Sequence, residues 1–284
     1  MKTLLAIVNE LNDAKDYLRY VAGMAVNLGA NVKVKKFHIP SKRAVGISDT
    51  FTGQTLIMEK EALKERVKES DKKLKEITNQ ISAEVKNGLF LESTAEAGFA
   101  DLVADEMVQK KLVDMIVLEG EKKHNFWTQS PDNMDIIKKV SCPVWIIPKE
   151  ATYKPFTEII YATDYKKEDI VSLKKLIATF PFYAPNITAL HITDSVDFDA
   201  RIKKAGFVEM LQKETNSKSI WVRALYQNKH DDLTELINDY ALKSKADLLV
   251  LLKENESFFE RIFNTSHTTE ILKKANIPVL VYHE

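Results

Sequence analysis

The chain has 284 residues, of which 45% are hydrophobic and 29% charged, and its 41 Lys+Arg are balanced by 41 Asp+Glu. That length is generous for one ordinary domain and sufficient for two, each able to bury a core without disulfides or metal. Zero net charge excludes a strong field toward DNA, RNA or an anionic membrane, and the single cysteine, Cys142, excludes an intrachain disulfide and fits a reducing compartment.

The first apolar run, Leu4 to Val8, stops at Asn9-Glu10. It reads as a strand and is too short for a signal-peptide core or a membrane span, so a cytoplasmic protein is expected. Asp13 to Leu28 follows, with Leu18, Val21, Ala22, Ala25 and Val26 at helical spacing. Val32 to Ile39 is a second strand. Glu61 to Val85 is a long charged helix with Leu63, Val67, Leu74, Ile77 and Ile81 on one stripe. Val113 to Leu118 and Cys142 to Ile147 are further strands. Pro148 and Pro155 then flank a stretch that continues neither helix nor ladder cleanly, which sets a domain boundary between 1–150 and 151–284. Past it come a strand from Ile159 to Asp164, a helix from Ile170 to Phe180 and a strand from Ile187 to Ile192. A helix from Asp232 to Lys243 is opened by Asp232 and Glu235 as a capping box, and strands from Ala246 to Leu251 and Ile277 to Tyr282 close the chain.

These elements repeat. Leu4 to Asn9 matches Ile159 to Asp164, Val32 to Ile39 matches Ile187 to Ile192, and Val113 to Leu118 matches Ala246 to Leu251. Cys142 to Ile147 matches Ile277 to Tyr282, and His38 and His191 follow Asn9 and Asp164 by similar separations, 29 and 27 residues. Four matches in one order indicate two copies of one unit. The strands are near-continuous Val/Ile/Leu runs, as in parallel sheets buried on both faces. The expectation is an α/β fold of two tandem, doubly wound, five-stranded parallel sheets with right-handed crossovers. In such sheets a ligand binds beyond the carboxyl ends of the strands where strand order reverses. Here that means Asn9 and Glu119 in the first copy, and Asp164 and Leu252 in the second.

At this point the sequence resembles the universal stress protein family, once in each half and over nearly the whole chain. The residues that carry the resemblance are Ile159 to Asp164, Ala246-Asp247-Leu248-Leu249-Val250 and Ile277-Pro278-Val279-Leu280-Val281, with Cys142-Pro143-Val144 in the first copy. The resemblance implies a Rossmann-like fold of the adenine nucleotide alpha-hydrolase-like kind. It also implies an acid after the first strand and a Gly-x2-Gly-x9-Gly-Ser/Thr loop after the fourth, the loop wrapping the phosphates of ATP. The second copy keeps the spacing without the glycines: Leu252, Asn255 and Thr265-Ser266 occupy the motif. A Cβ at Leu252 or Thr265 obstructs close approach of backbone to phosphate. The amides around Thr265, Ser266 and His267 open a helix suited to an anion. The implied ligand site of the second copy is therefore Ala162, Thr163, Asp164, Ile192, Leu252, Asn255, Thr265, Ser266 and His267, and the implied ligand is an adenine nucleotide, ATP or AMP, or something smaller. The first copy has Asn9 for the acid, Glu119 for the first glycine and Ser130-Pro131 for Gly-Ser. Pro131 lacks an amide and Glu119 repels phosphate, so this degenerate site is expected not to bind ATP.

Duller readings stand beside these. Asp164 binds a ribose or base, or only caps a turn. Ser266 and Thr268 contact phosphate or cap a helix. His38 and His191 are structural, since neither has a Cys or Glu at ligand spacing, and no metal site is expected. Cys142 is a buried core residue. Phe258 to Phe263 is a lid, a partner surface or local core, and Trp127 lies in the comparable region of the first copy. No Ser-His-Asp order, Walker loop or carboxylate pair stands out, so no catalytic residue is assigned. The functional expectation is a binding or sensing module of the stress response, its two copies forming an internal pseudo-dimer through the last strands, with a homodimer as a further level. The alternatives are a ligand-free interaction scaffold and a weak nucleotide phosphate hydrolase.

Overall fold

The computed structural model describes residues 2–40, 53–85, 89–120, 131–149, 151–180, 182, 184–217, 219–228, 233–253 and 277–283. The chain divides into two compact units. The first holds β1 (Lys2–Val8), α1 (Ala14–Leu28), β2 (Ala30–His38), α2 (Gly53–Glu84), β3 (Leu91–Ala97), α3 (Ala100–Gln109), β4 (Met115–Glu119) and α4 (Pro131–Lys139). The second holds β5 (Val144–Ile147), β6 (Glu158–Ala162), α5 (Lys167–Thr179), β7 (Asn186–Thr193), α6 (Phe198–Thr215), β8 (Ile220–Tyr226), α7 (Leu233–Ser244), β9 (Leu248–Leu252) and β10 (Val279–Tyr282).

In the first unit the strands lie in the order β3-β2-β1-β4, all parallel. Every residue of β4 is buried, as its unbroken Met-Ile-Val-Leu-Glu run requires. β2 alternates instead: Val32 and Val34 are buried, while Lys33 and Lys35 reach across to Glu92 and Glu96 at 2.8 and 2.9 Å. α1 ends where Gly29 takes φ 62°, a left-handed cap that glycine adopts without penalty. In the second unit β10-β9-β6-β7-β8 run parallel, and β5 adds antiparallel to β10, with Trp145 opposite Leu280. The last strands matched in the sequence, Val144–Ile147 and Val279–Tyr282, thus pair within one chain.

An aspartate at the start of the fourth strand is used the same way in both units. Asp114 Oδ2 accepts the Thr3 amide at 2.7 Å, and the Asp114 amide donates to the Thr3 carbonyl at 2.9 Å. Asp247 Oδ2 accepts the Thr157 amide at 2.8 Å, the Thr157 hydroxyl at 2.7 Å and the Glu158 amide at 3.1 Å; its own amide donates to the Glu158 carbonyl at 2.7 Å. Each staples its strand to the start of the unit's central strand, so the Val113-Asp114 and Ala246-Asp247 repeat is a shared device.

Several boundaries differ from expectation by a few residues, and two of the differences are instructive. α2 starts at Gly53, ahead of Glu61, and the helix there lacks the sequence signature of a packed face, since Ile57 and Met58 are both exposed. β6 stops at Ala162, short of Asp164, because Asp169 draws the next amides out of the ladder.

Candidate functional site

In the second unit the ladder places the tip of β6 beside that of β9, with Tyr161 in register with Val250. Ala162 and Thr163 are buried there, and Leu252 ends β9 fully packed, in register with Tyr282. The Thr163 amide still donates to the Leu190 carbonyl of β7 at 3.0 Å. After it the chain leaves the sheet, and Asp164 emerges half-buried at the tip.

What fixes this departure is Asp169, a fully buried carboxylate in the first turn of α5. Its Oδ1 accepts the Tyr161 hydroxyl at 3.0 Å. Its Oδ2 accepts the Thr163 hydroxyl at 2.8 Å, the Asp164 amide at 3.1 Å and the Lys166 amide at 3.0 Å. Burial pushes the Asp169 carboxyl above its ordinary value, and the four donors pull against that without overcoming it. The turn they hold forces Tyr165 to φ 59°, a left-handed backbone that costs a residue with a Cβ roughly 1–2 kcal/mol.

The ring of Tyr165 is held from both sides, with centroids 4.3 Å from His191 and 5.0 Å from Phe207. Its hydroxyl is buried with no hydrogen-bond partner among the described residues, and burial pushes its pKa up to about 12. His191 Nδ1 lies 2.7 Å from the Thr163 carbonyl. A carbonyl only accepts, so Nδ1 carries the proton. The same nitrogen is 3.9 Å from Asp164 Oδ1. Asp164 is therefore a half-buried carboxylate whose backbone amide is held by Asp169, placed to accept hydrogen bonds at the strand tip.

Of the expected ligand residues, the structure brings Ala162, Thr163 and Asp164 to one strand tip, Ile192 to the adjacent β7, and Leu252 to the adjacent β9. Asn255, Thr265, Ser266 and His267 lie outside the described residues, as do Phe258 to Phe263, Trp127, His230 and the capping Asp232. Tyr165 and Asp169 had no part in the sequence reading. The signal for Asp169 was present, an acid at the third position of a helix. His191, read as structural, does hold the Thr163 carbonyl, and it also borders Asp164.

The equivalent tip of the first unit is built differently. Asn9 follows β1, and its carbonyl receives the ammonium of Lys36. Burial holds that ammonium below its ordinary pKa, with Glu10 opposing. Glu119 ends β4 almost fully buried, and its carbonyl accepts the Asn133 side chain at 3.0 Å. Burial, then the Glu119 charge, raises the Tyr17 hydroxyl well above its ordinary value. His38 Nε2 pairs with Ser70 Oγ at 2.8 Å. Ser130 lies outside the described residues. Among the described residues no three His, Cys, Asp or Glu side chains converge as metal ligands, and no helix is long and apolar enough to cross a membrane.

Comparison with known proteins agrees with the fold. Residues 159–283 match the sequence model of the Universal stress protein family. No curated protein matches the chain. Among solved structures, a universal stress protein from Archaeoglobus fulgidus DSM 4304 is 13% identical, with a TM-score of 0.63, covering 99% of this chain and 96% of that one. A functionally unknown protein from Pseudomonas aeruginosa PAO1 is also 13% identical, with a TM-score of 0.58 over 100% of this chain and 92% of that one. At these identities the likeness is one of fold, and it extends over both halves. Residues 159–283 thus match one domain of the Universal stress protein family.

Proposed function

We propose that the chain is a cytoplasmic binding module of the stress response, built as two tandem copies of one fold that the sequence divides between 150 and 151, with β5 belonging to the second compact unit. On this reading the tip of the second holds an adenine nucleotide such as ATP or AMP, or a smaller ligand. The observation that carries the reading is Asp164: a half-buried carboxylate on a turn held by Asp169, beside the tip of β9, in the half that matches the family. The first unit is proposed not to bind nucleotide. Its tip offers an amide side chain at Asn9, a carbonyl already taken by Lys36, and a buried Glu119.

Thermal unfolding with and without ATP or AMP tests this. A ligand that binds only the folded state at one hundred times its Kd adds about 2.7 kcal/mol. The midpoint should rise with nucleotide, and Asp164→Ala should abolish the rise while leaving the ligand-free midpoint near that of the parent. No rise with any nucleotide overturns the proposal and favours an interaction scaffold.

A further inference from the structure

Helix α6 is anchored at both ends and covered on one side only. Asp197 caps its start by accepting the Ala200 amide at 2.8 Å, and Asn216 ends it with a left-handed φ of 48°. Over its 18 residues only Phe207 and Leu211 are buried. Its other face leaves Phe198 74%, Ile202 56% and Met210 48% exposed. Gly206 sits mid-helix, where a glycine costs about 1 kcal/mol against alanine. A Cβ added there would meet nothing within 4 Å, so no packing inside the chain requires it.

Three exposed pairs at equal distances on either side of Gly206 are complementary. Asp199 stands opposite Lys213, Ile202 opposite Met210, and Lys203 opposite Glu209. A helix with this symmetry matches itself in antiparallel orientation, with acid meeting base and apolar meeting apolar. The missing side chain at the centre lets the two backbones approach. Phe198 then meets the region of Glu214 and Thr215 on its mate. There a groove of about 460 Å³ opens between α6 and β8, walled by Leu211, Thr215, Ile220 and Trp221.

We propose that α6 is a self-association surface, on which two copies of this chain pair their α6 helices antiparallel about a two-fold axis at Gly206. Phe198 of each copy fills the α6–β8 groove of the other. The surface is independent of the ligand reading above. One helix crossing covers less than the ~800 Å² per partner of a standard interface, so the dimer is weak and concentration-dependent.

Gly206→Cys tests the axis. Cys142 is buried, so the new thiol is the reactive one. In the proposed dimer it faces its own copy. Under mild oxidant at about 50 µM, Gly206→Cys should form a disulfide-linked dimer at least tenfold faster than Lys64→Cys on the exposed face of α2. Sedimentation velocity tests the register. Asp199→Lys and Lys213→Asp should each weaken the dimer about tenfold, and the double variant should restore it, with circular dichroism unchanged throughout. Equal cross-linking rates at the two positions, or a double variant no better than either single one, overturns the proposal.

Discussion

Tyr165 sets opposing energies against each other at one residue. Its left-handed backbone costs roughly 1–2 kcal/mol, which glycine would relieve. Its ring, packed on His191 and Phe207, is worth about 3–5 kcal/mol if deleted. Packing wins, so Tyr165→Gly should destabilise by about 1–4 kcal/mol in urea unfolding. The buried hydroxyl is a separate term, because an unsatisfied polar group costs about 1–3 kcal/mol. Tyr165→Phe should therefore raise stability by about 1 kcal/mol, and a loss instead would show that the hydroxyl has a partner. Asp164 was legible in the sequence because an acid after a buried strand is a local pattern. The turn behind it was not. A left-handed residue is usually glycine or asparagine, and nothing marks a tyrosine for that role. The four donors around Asp169 come from a strand, a turn and a helix start, which only the folded backbone brings together.

At the level of elements, β1, β4, β6 and β9 were legible for the same reason they are stable. Each is buried on both faces, and an unbroken apolar run has few other uses. Among the described residues β3 and β8 each pair on one side only and are half-exposed, so Leu-Glu-Ser-Thr-Ala-Glu-Ala and Ile-Trp-Val-Arg-Ala-Leu-Tyr carry no such signature. The aspartate staples were hidden because their partners lie far away in sequence. Burial pushes the Asp247 carboxyl up, but the Lys154 ammonium at 2.5 Å, the Thr157 hydroxyl and two amides push it further down, below its ordinary range. A carboxyl held low in the folded state stabilises above its unfolded pKa, and that contribution is lost as pH falls through the folded value. Asp247→Ala should therefore cost about 3 kcal/mol at pH 7, where it strands Lys154 and three donors. The gap from the parent should narrow in urea titrations below about pH 4. Asp169 works with the opposite sign. Its raised carboxyl favours the folded state at low pH and loses that benefit as pH rises above the unfolded value.

For the molecule as a whole, equal numbers of acids and bases have a consequence that no single site shows. With 41 of each and a sequence pI near 7.0, long-range repulsion between copies is weakest at neutral pH. Non-specific attraction should peak there and fade as the chain gains charge on either side. Pairing through α6 depends instead on local complementarity between carboxylates and ammonium groups, so it should not follow net charge between about pH 6 and 9. Light scattering across that range separates the two. The parent should retain a concentration-dependent dimer at pH 8.5, where its net charge is negative, and Asp199→Lys should not. If the dimer disappears from the parent at pH 8.5 and reappears at pH 7, association follows net charge rather than the helix. The same series run at 0.5 M salt adds a second reading. Screening to a Debye length of roughly 4 Å removes the residual field between whole molecules but only weakens contacts at ion-pair distance. The specific dimer should therefore lose several-fold in affinity without vanishing.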